Sequence, residues 1–234
     1  MPNTRTTPAT TPSPAASLAR GVKLGLPIFL GYAPVGAAFG LAATSAGFTV
    51  VQATACSAMV LAGAGQFIGL AALASGNLVA ALVATGIVNL RYVLFSATMA
   101  PHVHDVPPWN KALLAFTLTD ETFAINIADV REGRADRFSM LGVGFISWVG
   151  WTAGTLVGAL AGGAIGDPSK WGVEFAMPAM FTALLVGQIT GKRELIAAGL
   201  AAVLALALSA FLPGQWPVVA AAVTAATVMT VVPR

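Results

Sequence analysis

Residues 78–100 read LVAALVATGIVNLRYVLFSATMA, an apolar run with one formal charge, Arg91, inside it. A helix crosses the hydrocarbon core of a bilayer with about 20 mostly apolar residues. Backbone N–H and C=O groups find no water there, so the chain must satisfy them itself, and a helix does this within one segment. Such a run therefore argues for a spanning helix. Seven more segments share its character: 24–46, 51–75, 111–129, 138–165, 172–190, 195–211 and 216–232. The intervals carry turn chemistry: Gly47, SGN at 75–77, PHVHDVPPWN at 101–110, REGRADR at 131–137, GDPSK at 166–170, GKRE at 191–194 and PGQ at 213–215. The fold expected is all-α, a polytopic membrane helix bundle of seven or eight transmembrane helices. In the seven-span alternative, one of the two short final segments is re-entrant.

Composition supports this class. Only 9% of residues are charged and 57% are hydrophobic, whereas a soluble domain carries about 25% charged residues. A globule this poor in charge does not cover its surface with polar groups. No run of basic residues suggests a nucleic-acid surface, and the single Cys56 excludes an internal disulfide and reads as a small structural residue. Residues 1–22 are rich in Thr, Pro, Ser and Ala and read as a disordered cytoplasmic tail. Residues 23–234 read as one transmembrane domain.

Lysine and arginine in short loops set the orientation. With eight spans and the N-terminus inside, nine basic residues lie inside (Arg5, Arg20, Lys23, Arg131, Arg134, Arg137, Lys192, Arg193, Arg234) and two outside (Lys111, Lys170). Both termini are then cytoplasmic.

Two stretches resemble each other: GYAPVGAAFGLAA at 31–43 and GWTAGTLVGALAG at 150–162, with Gly36 and Gly154 offset by 118 residues. Gln66 and Gln188 repeat at an offset of 122. An internal two-fold repeat of 24–130 and 138–232 follows, parallel or inverted according to the number of spans in the first half. Gly150, Gly154, Gly158 and Gly162 form a stripe of small residues, echoed by Gly36 and Gly40 and by Gly65 and Gly69. The stripe suits close packing within the chain, or a seam for a second subunit. Pro27, Pro34 and Pro178 mark bends in their spans.

Arg91 stays charged and needs an anionic partner facing protein or water. The next segment contains LTDETFAIN, with Asp120 and Glu121: Arg91 and Asp120 each lie nine residues from the outer end of their helices. Either acid can pair with Arg91. Being adjacent, they point about 100° apart on a helix, which leaves the other for a substrate ammonium, a cation or a proton. Asn89 and Gln66 are the remaining candidates, and Gln66, like Gln188, suits either substrate binding or helix bridging. Glu174 reads as interfacial. His102, His104 and Asp105 in PHVHD are read as loop polarity and not as a metal site, and no nucleophile–histidine pair suggests an enzyme.

The motifs GYAPVGAAFG, LAGAGQF, NLRYVLFSA, APH and LTDETFA, in this order, resemble the AzlC-type branched-chain amino acid permeases. The resemblance runs from about Gly21 onward, and its specific motifs lie within 31–124. Many members carry histidine after NLR; here Tyr92 stands there, which removes a titratable imidazole and leaves the arginine. The resemblance implies a multi-pass bacterial cell-membrane transporter that exports valine, leucine, isoleucine and in some cases methionine with a small AzlD-type membrane subunit. The family residues carried over are Gln66, Asn89, Arg91, Asp120 and Glu121. No P-loop is present, so no nucleotide or other cofactor is expected. Proton coupling is the favoured energy source. The alternative reading is a structural membrane subunit whose buried charge pairs only hold a complex together.

Overall fold

The computed structural model describes residues 13–74, 76, 78–165, 175, 182, 185–186, 189, 191–211 and 216–231. The expected sixth span, with Glu174, Pro178 and Gln188, falls outside the described residues apart from isolated positions. The regular elements described are all helical. The chain divides into two compact units, Met1–Val173 and Glu174–Arg234.

In the first unit, α1 (Pro14–Ser45) starts ten residues earlier than the hydropathy pattern suggests. Residues 14–22 are therefore helical and not a disordered tail. Ser13 is the N-cap, its hydroxyl accepting from Ala16 N at 3.3 Å, and Pro14 takes the first turn, where a missing N–H does no harm. Ser17 and Gly21 are buried, so this polar extension is held by close contact between small residues. The helix continues through Pro27 and Pro34.

The partner of α1 is α8 (Arg137–Ile165), N-capped by Asp136, whose carboxylate accepts from Phe138 N at 2.8 Å and Ser139 N at 3.1 Å. The two helices run parallel: Gly21 meets Ser139, Gly36 meets Trp151 and Gly40 meets Thr155. The glycine stripe is thus spent on packing within the chain. A Cβ on Gly36 would fall 2.5 Å from Trp151 O, and one on Gly154 would fall 2.2 Å from Ala33 O. One turn later, a Cβ on Gly40 would fall 2.1 Å from Thr155 O, and one on Gly158 would fall 1.9 Å from Ala37 O. Each reciprocal pair of contacts maps onto the other by the same 118-residue shift that aligns the two sequence stretches. Both α1 and the 137–162 portion of α8 are long and apolar enough to cross a membrane.

Three segments expected to be continuous spans are each interrupted. The first is α2 (Val50–Met59) followed by α3 (Ala64–Ala74); the second is α4 (Leu78–Asn89) followed by α5 (Arg91–Met99); the third is α6 (Pro108–Phe116) followed by α7 (Asp120–Arg131). A short 3-10 turn (Ala100–Val103) follows α5. At 1.5 Å per residue each piece is about 14–18 Å long, roughly half of a hydrocarbon core. The interruptions have local causes. Gly63, at φ +39°, ends the extended link after α2, a conformation that favours glycine. Trp148 Nε1 donates to the freed Ala58 O at 2.9 Å. In TLTDET, Thr119 and Thr122 form a capping box: Thr119 N donates to Thr122 Oγ1 at 2.8 Å, and Thr122 N donates to Thr119 Oγ1 at 3.3 Å. Hydroxyls thus replace the helical bonds that a continuous span would make. Leu90 interrupts α4 and α5 with a single tightened turn, its N–H donating to Ile87 O at 3.2 Å.

The second unit contains α9 (Lys192–Ser209) and α10 (Trp216–Val231). They pack antiparallel, with Arg193 near the start of α9 donating to Met229 O near the end of α10. Ala221 and Ala225, one turn apart, are buried.

Candidate functional site

The interruptions place the polar residues. Arg91 is the first residue of α5, and Asp120 and Glu121 are the first two residues of α7. Acidic side chains are favoured in a first helical turn, where unpaired N–H groups and the helix dipole are positive. Arg91 Nη1 donates to Asp120 Oδ2 in a largely buried ion pair, so the matching depths read from the sequence identify a real neighbour. The Arg91 guanidinium also lies 5.2 Å from the Tyr92 ring centre, within cation–π range. Tyr92 thus supports the arginine through its ring.

Glu121 is not free. Turned away from Asp120 around the helix, it accepts from the hydroxyl of Tyr32 on α1, which also lies 2.9 Å from Thr119 Oγ1. Tyr32 in turn meets Trp151 edge-on with ring centres 5.6 Å apart, and Phe39 stacks on Trp151 at 6.3 Å. The two neighbouring acids therefore serve two different contacts: Asp120 reaches α5 and Glu121 reaches α1.

Asn89 ends α4, two residues before Arg91. Its Oδ1 is buried and accepts no hydrogen bond from the described residues, and neither does Arg91 Nε find an acceptor. Gly65 approaches this amide so closely that an added Cβ would fall 2.9 Å from Oδ1. Gln66, the next residue, faces a different way. Its Nε2 donates to Ser57 Oγ at 3.2 Å and lies 3.6 Å from Cys56 Sγ, and its Oε1 accepts from Ala62 N at 3.4 Å. Ser57 Oγ is 2.8 Å from Thr155 Oγ1 on α8. Gln66 thus ties the α2–α3 interruption to α8, and its hydrogen bonds do not run to Arg91 or Asp120. It also lines a cavity of about 180 Å³.

A second ion cluster was not singled out from the sequence. Asp129, near the end of α7, takes both guanidinium nitrogens of Arg20, with Nη1–Oδ2 at 2.9 Å. Arg134 Nε is 3.5 Å from the same carboxylate, and Arg134 also pairs with Glu132. This cluster clamps the start of α1 to the end of α7. His104 and Asp105 lie 2.8 Å apart in an exposed turn.

The arrangement offers a fixed cation, two carboxylates engaged separately, and two buried polar atoms, one donor and one acceptor, that the described residues leave unmatched. Buried polar atoms in native folds are nearly always hydrogen-bonded; Thr54 Oγ1, Trp151 Nε1 and Thr152 Oγ1 are likewise unmatched among the described residues.

Comparison with known proteins places the chain. The chain is 37% identical to Inner membrane protein YgaZ of Escherichia coli (strain K12) over 79% of its own length and 80% of that protein. It is 33% identical to an uncharacterized membrane protein of Archaeoglobus fulgidus over 77% of its length and 80% of that protein. It is 28% identical to Branched-chain amino acid transport protein AzlC of Bacillus subtilis (strain 168) over 70% of its length and 64% of that protein. No solved structure matches it. Residues 27–165, which contain Tyr32, Gln66, Asn89, Arg91, Asp120 and Glu121, match the profile described as AzlC protein, and the chain belongs to the AzlC family.

Proposed function

We propose that this protein is the large, multi-pass subunit of a branched-chain amino acid exporter in the bacterial inner membrane, coupled to protons and working with a small AzlD-type membrane subunit. The name of the Bacillus subtilis relative supports the substrate class. The observation that carries the reading is the partly buried Arg91–Asp120 pair at two helix interruptions, with Arg91 Nε unmatched. Helices broken at mid-membrane often frame transporter sites, because freed backbone and short half-helices line a cavity. Arg91 takes the substrate carboxylate with its planar fork. Asp120 or Glu121 takes the ammonium or carries the coupled proton. Glu121 accepts from Tyr32 and so links α7 to α1.

The parallel course of α1 and α8, with reciprocal glycine contacts at a shift of 118, supports a parallel internal repeat. It also suits three crossings between them, made by the interrupted pairs. A purely structural subunit would use its buried polar groups to lock helices, as Gln66 and Asp129 do. The unmatched Arg91 Nε and Asn89 Oδ1 favour transport over that alternative.

The test is flux of labelled valine, leucine and methionine into proteoliposomes, with and without the small subunit and under imposed pH gradients. Transport driven by an opposing proton gradient is expected. Absence of flux for every substrate, gradient and subunit composition would sink the reading. Arg91→Lys keeps the charge and loses the fork. It should lower transport at least about tenfold, the equivalent of one good charge-assisted hydrogen bond, with membrane insertion unchanged.

A further inference from the structure

The cavity beside Gln66 is not explained by the ion pairs. Phe39, Val60, Gly65, Gly69, Leu70 and Thr85 contribute to its wall, which is mostly apolar. Gly65 is shared: it lines the cavity on one side and touches the Asn89 amide on the other. Thr85 and Asn89 are one turn apart on α4, so they lie on the same face of that helix. Thr85 lines the cavity, with its Oγ1 donating to Gly65 O at 3.4 Å. The unmatched Asn89 Oδ1 therefore sits one helical turn along from the cavity wall, and Arg91 follows two residues later.

Size narrows the occupant. A dry apolar cavity of roughly 150 Å³ holds a benzene molecule. The cavity here is half open and holds about 180 Å³, enough for a branched side chain of three or four carbons. The wall is shaped in part by absence: an added Cβ on Gly69 would point at Thr85, which also lines the cavity.

We propose that this cavity is the side-chain subsite of the transporter, that Asn89 Oδ1 accepts a hydrogen bond from the substrate's α-ammonium, and that Gly69 sets the largest side chain admitted. This rests on the transport reading above and adds the orientation of the bound amino acid: aliphatic side chain between α3 and α4, ammonium at Asn89, carboxylate toward Arg91. An ammonium has three N–H donors, so Asn89 Oδ1 takes one and leaves the others for a carboxylate.

Gly69→Ala tests it with little risk to the fold, since an added Cβ meets only Thr85 Oγ1, at 3.5 Å, an ordinary contact. One methyl in such a pocket discriminates by about tenfold or more. In proteoliposomes containing the small subunit, Gly69→Ala should reduce leucine transport about tenfold relative to valine. Thr85→Ser removes one methyl, keeps the hydroxyl, and should shift preference the opposite way, toward methionine. Asn89→Leu should abolish the preference for leucine over its α-keto acid as a competitor of uptake. Wild-type transport with an unchanged leucine-to-valine ratio in both Gly69→Ala and Thr85→Ser would overturn the subsite and leave the transport reading standing. An unchanged preference in Asn89→Leu would overturn the ammonium assignment. Wild-type protein that carries none of the amino acids would overturn the transport reading itself, and the subsite with it.

Discussion

Gly158→Ala is expected to force open the seam between α1 and α8. An added Cβ at Gly158 would fall 1.9 Å from Ala37 O, 2.5 Å from its carbonyl carbon and 2.6 Å from its Cα. All three are backbone atoms, so no rotamer change relieves the clash. Ordinary contact begins near 3.4 Å, so the helices must part locally by about 1.5 Å, which also loosens the reciprocal contact of Gly40 with Thr155 one turn away. Overpacking of this kind costs about 1–3 kcal/mol. It opposes the roughly 1 kcal/mol by which alanine is the better helix former. Gly31, also in α1, supplies the control, because an added Cβ there meets nothing within 4 Å. Thermal unfolding of the detergent-solubilised protein, followed by the loss of its monodisperse size-exclusion peak, is the assay. Gly158→Ala and Gly40→Ala should melt lower than wild type, and Gly31→Ala at or above it. Equal midpoints for Gly158→Ala and Gly31→Ala would refute the packing argument.

Two further contacts predict measurable effects. Tyr32→Phe removes the hydroxyl that Glu121 accepts from and keeps the ring against Trp151. It should destabilise by about 1.5–3 kcal/mol, the range for a hydrogen bond to a charged group, in the same melting assay. Asp129→Asn leaves Arg20 without its carboxylate and should destabilise by about 1.5–3 kcal/mol, read as a lower unfolding midpoint; combining it with Arg20→Gln should recover part of that loss.

Much of this architecture is legible in the chain because apolar runs and turn residues report helices directly. The Arg91–Asp120 contact follows from the equal depths of the two charges, and the 1–22 segment misleads because its small polar residues look unfit to pack. Ser13-Pro14 was the overlooked signal there, a helix start written in two residues. The interruptions escape a hydropathy reading because α2 with α3, and α4 with α5, stay apolar across their breaks. Only local chemistry betrays them: Gly63, the residue before Arg91, and a threonine capping box in place of the usual acidic one. Tyr32 was missed although the chain has only two tyrosines, and a hydroxyl inside an apolar helix needs a partner as surely as a charge does. Asp129 was read as the end of a span, and its burial arises from tertiary contact with α1, which no local pattern encodes.

The central claim is that Arg91 and Asp120 serve recognition and not only helix order. Replacing both partners of a buried pair with apolar residues of similar volume is often neutral for stability, whereas removing one costs about 3–5 kcal/mol. The decisive measurement is uptake of labelled valine by proteoliposomes carrying Arg91→Met together with Asp120→Leu, alongside the melting midpoint of the same protein. The account predicts a folded double variant, more stable than either single one, that carries no valine. Valine uptake at the wild-type rate by that double variant would contradict it and reduce the pair to a lock between two helices.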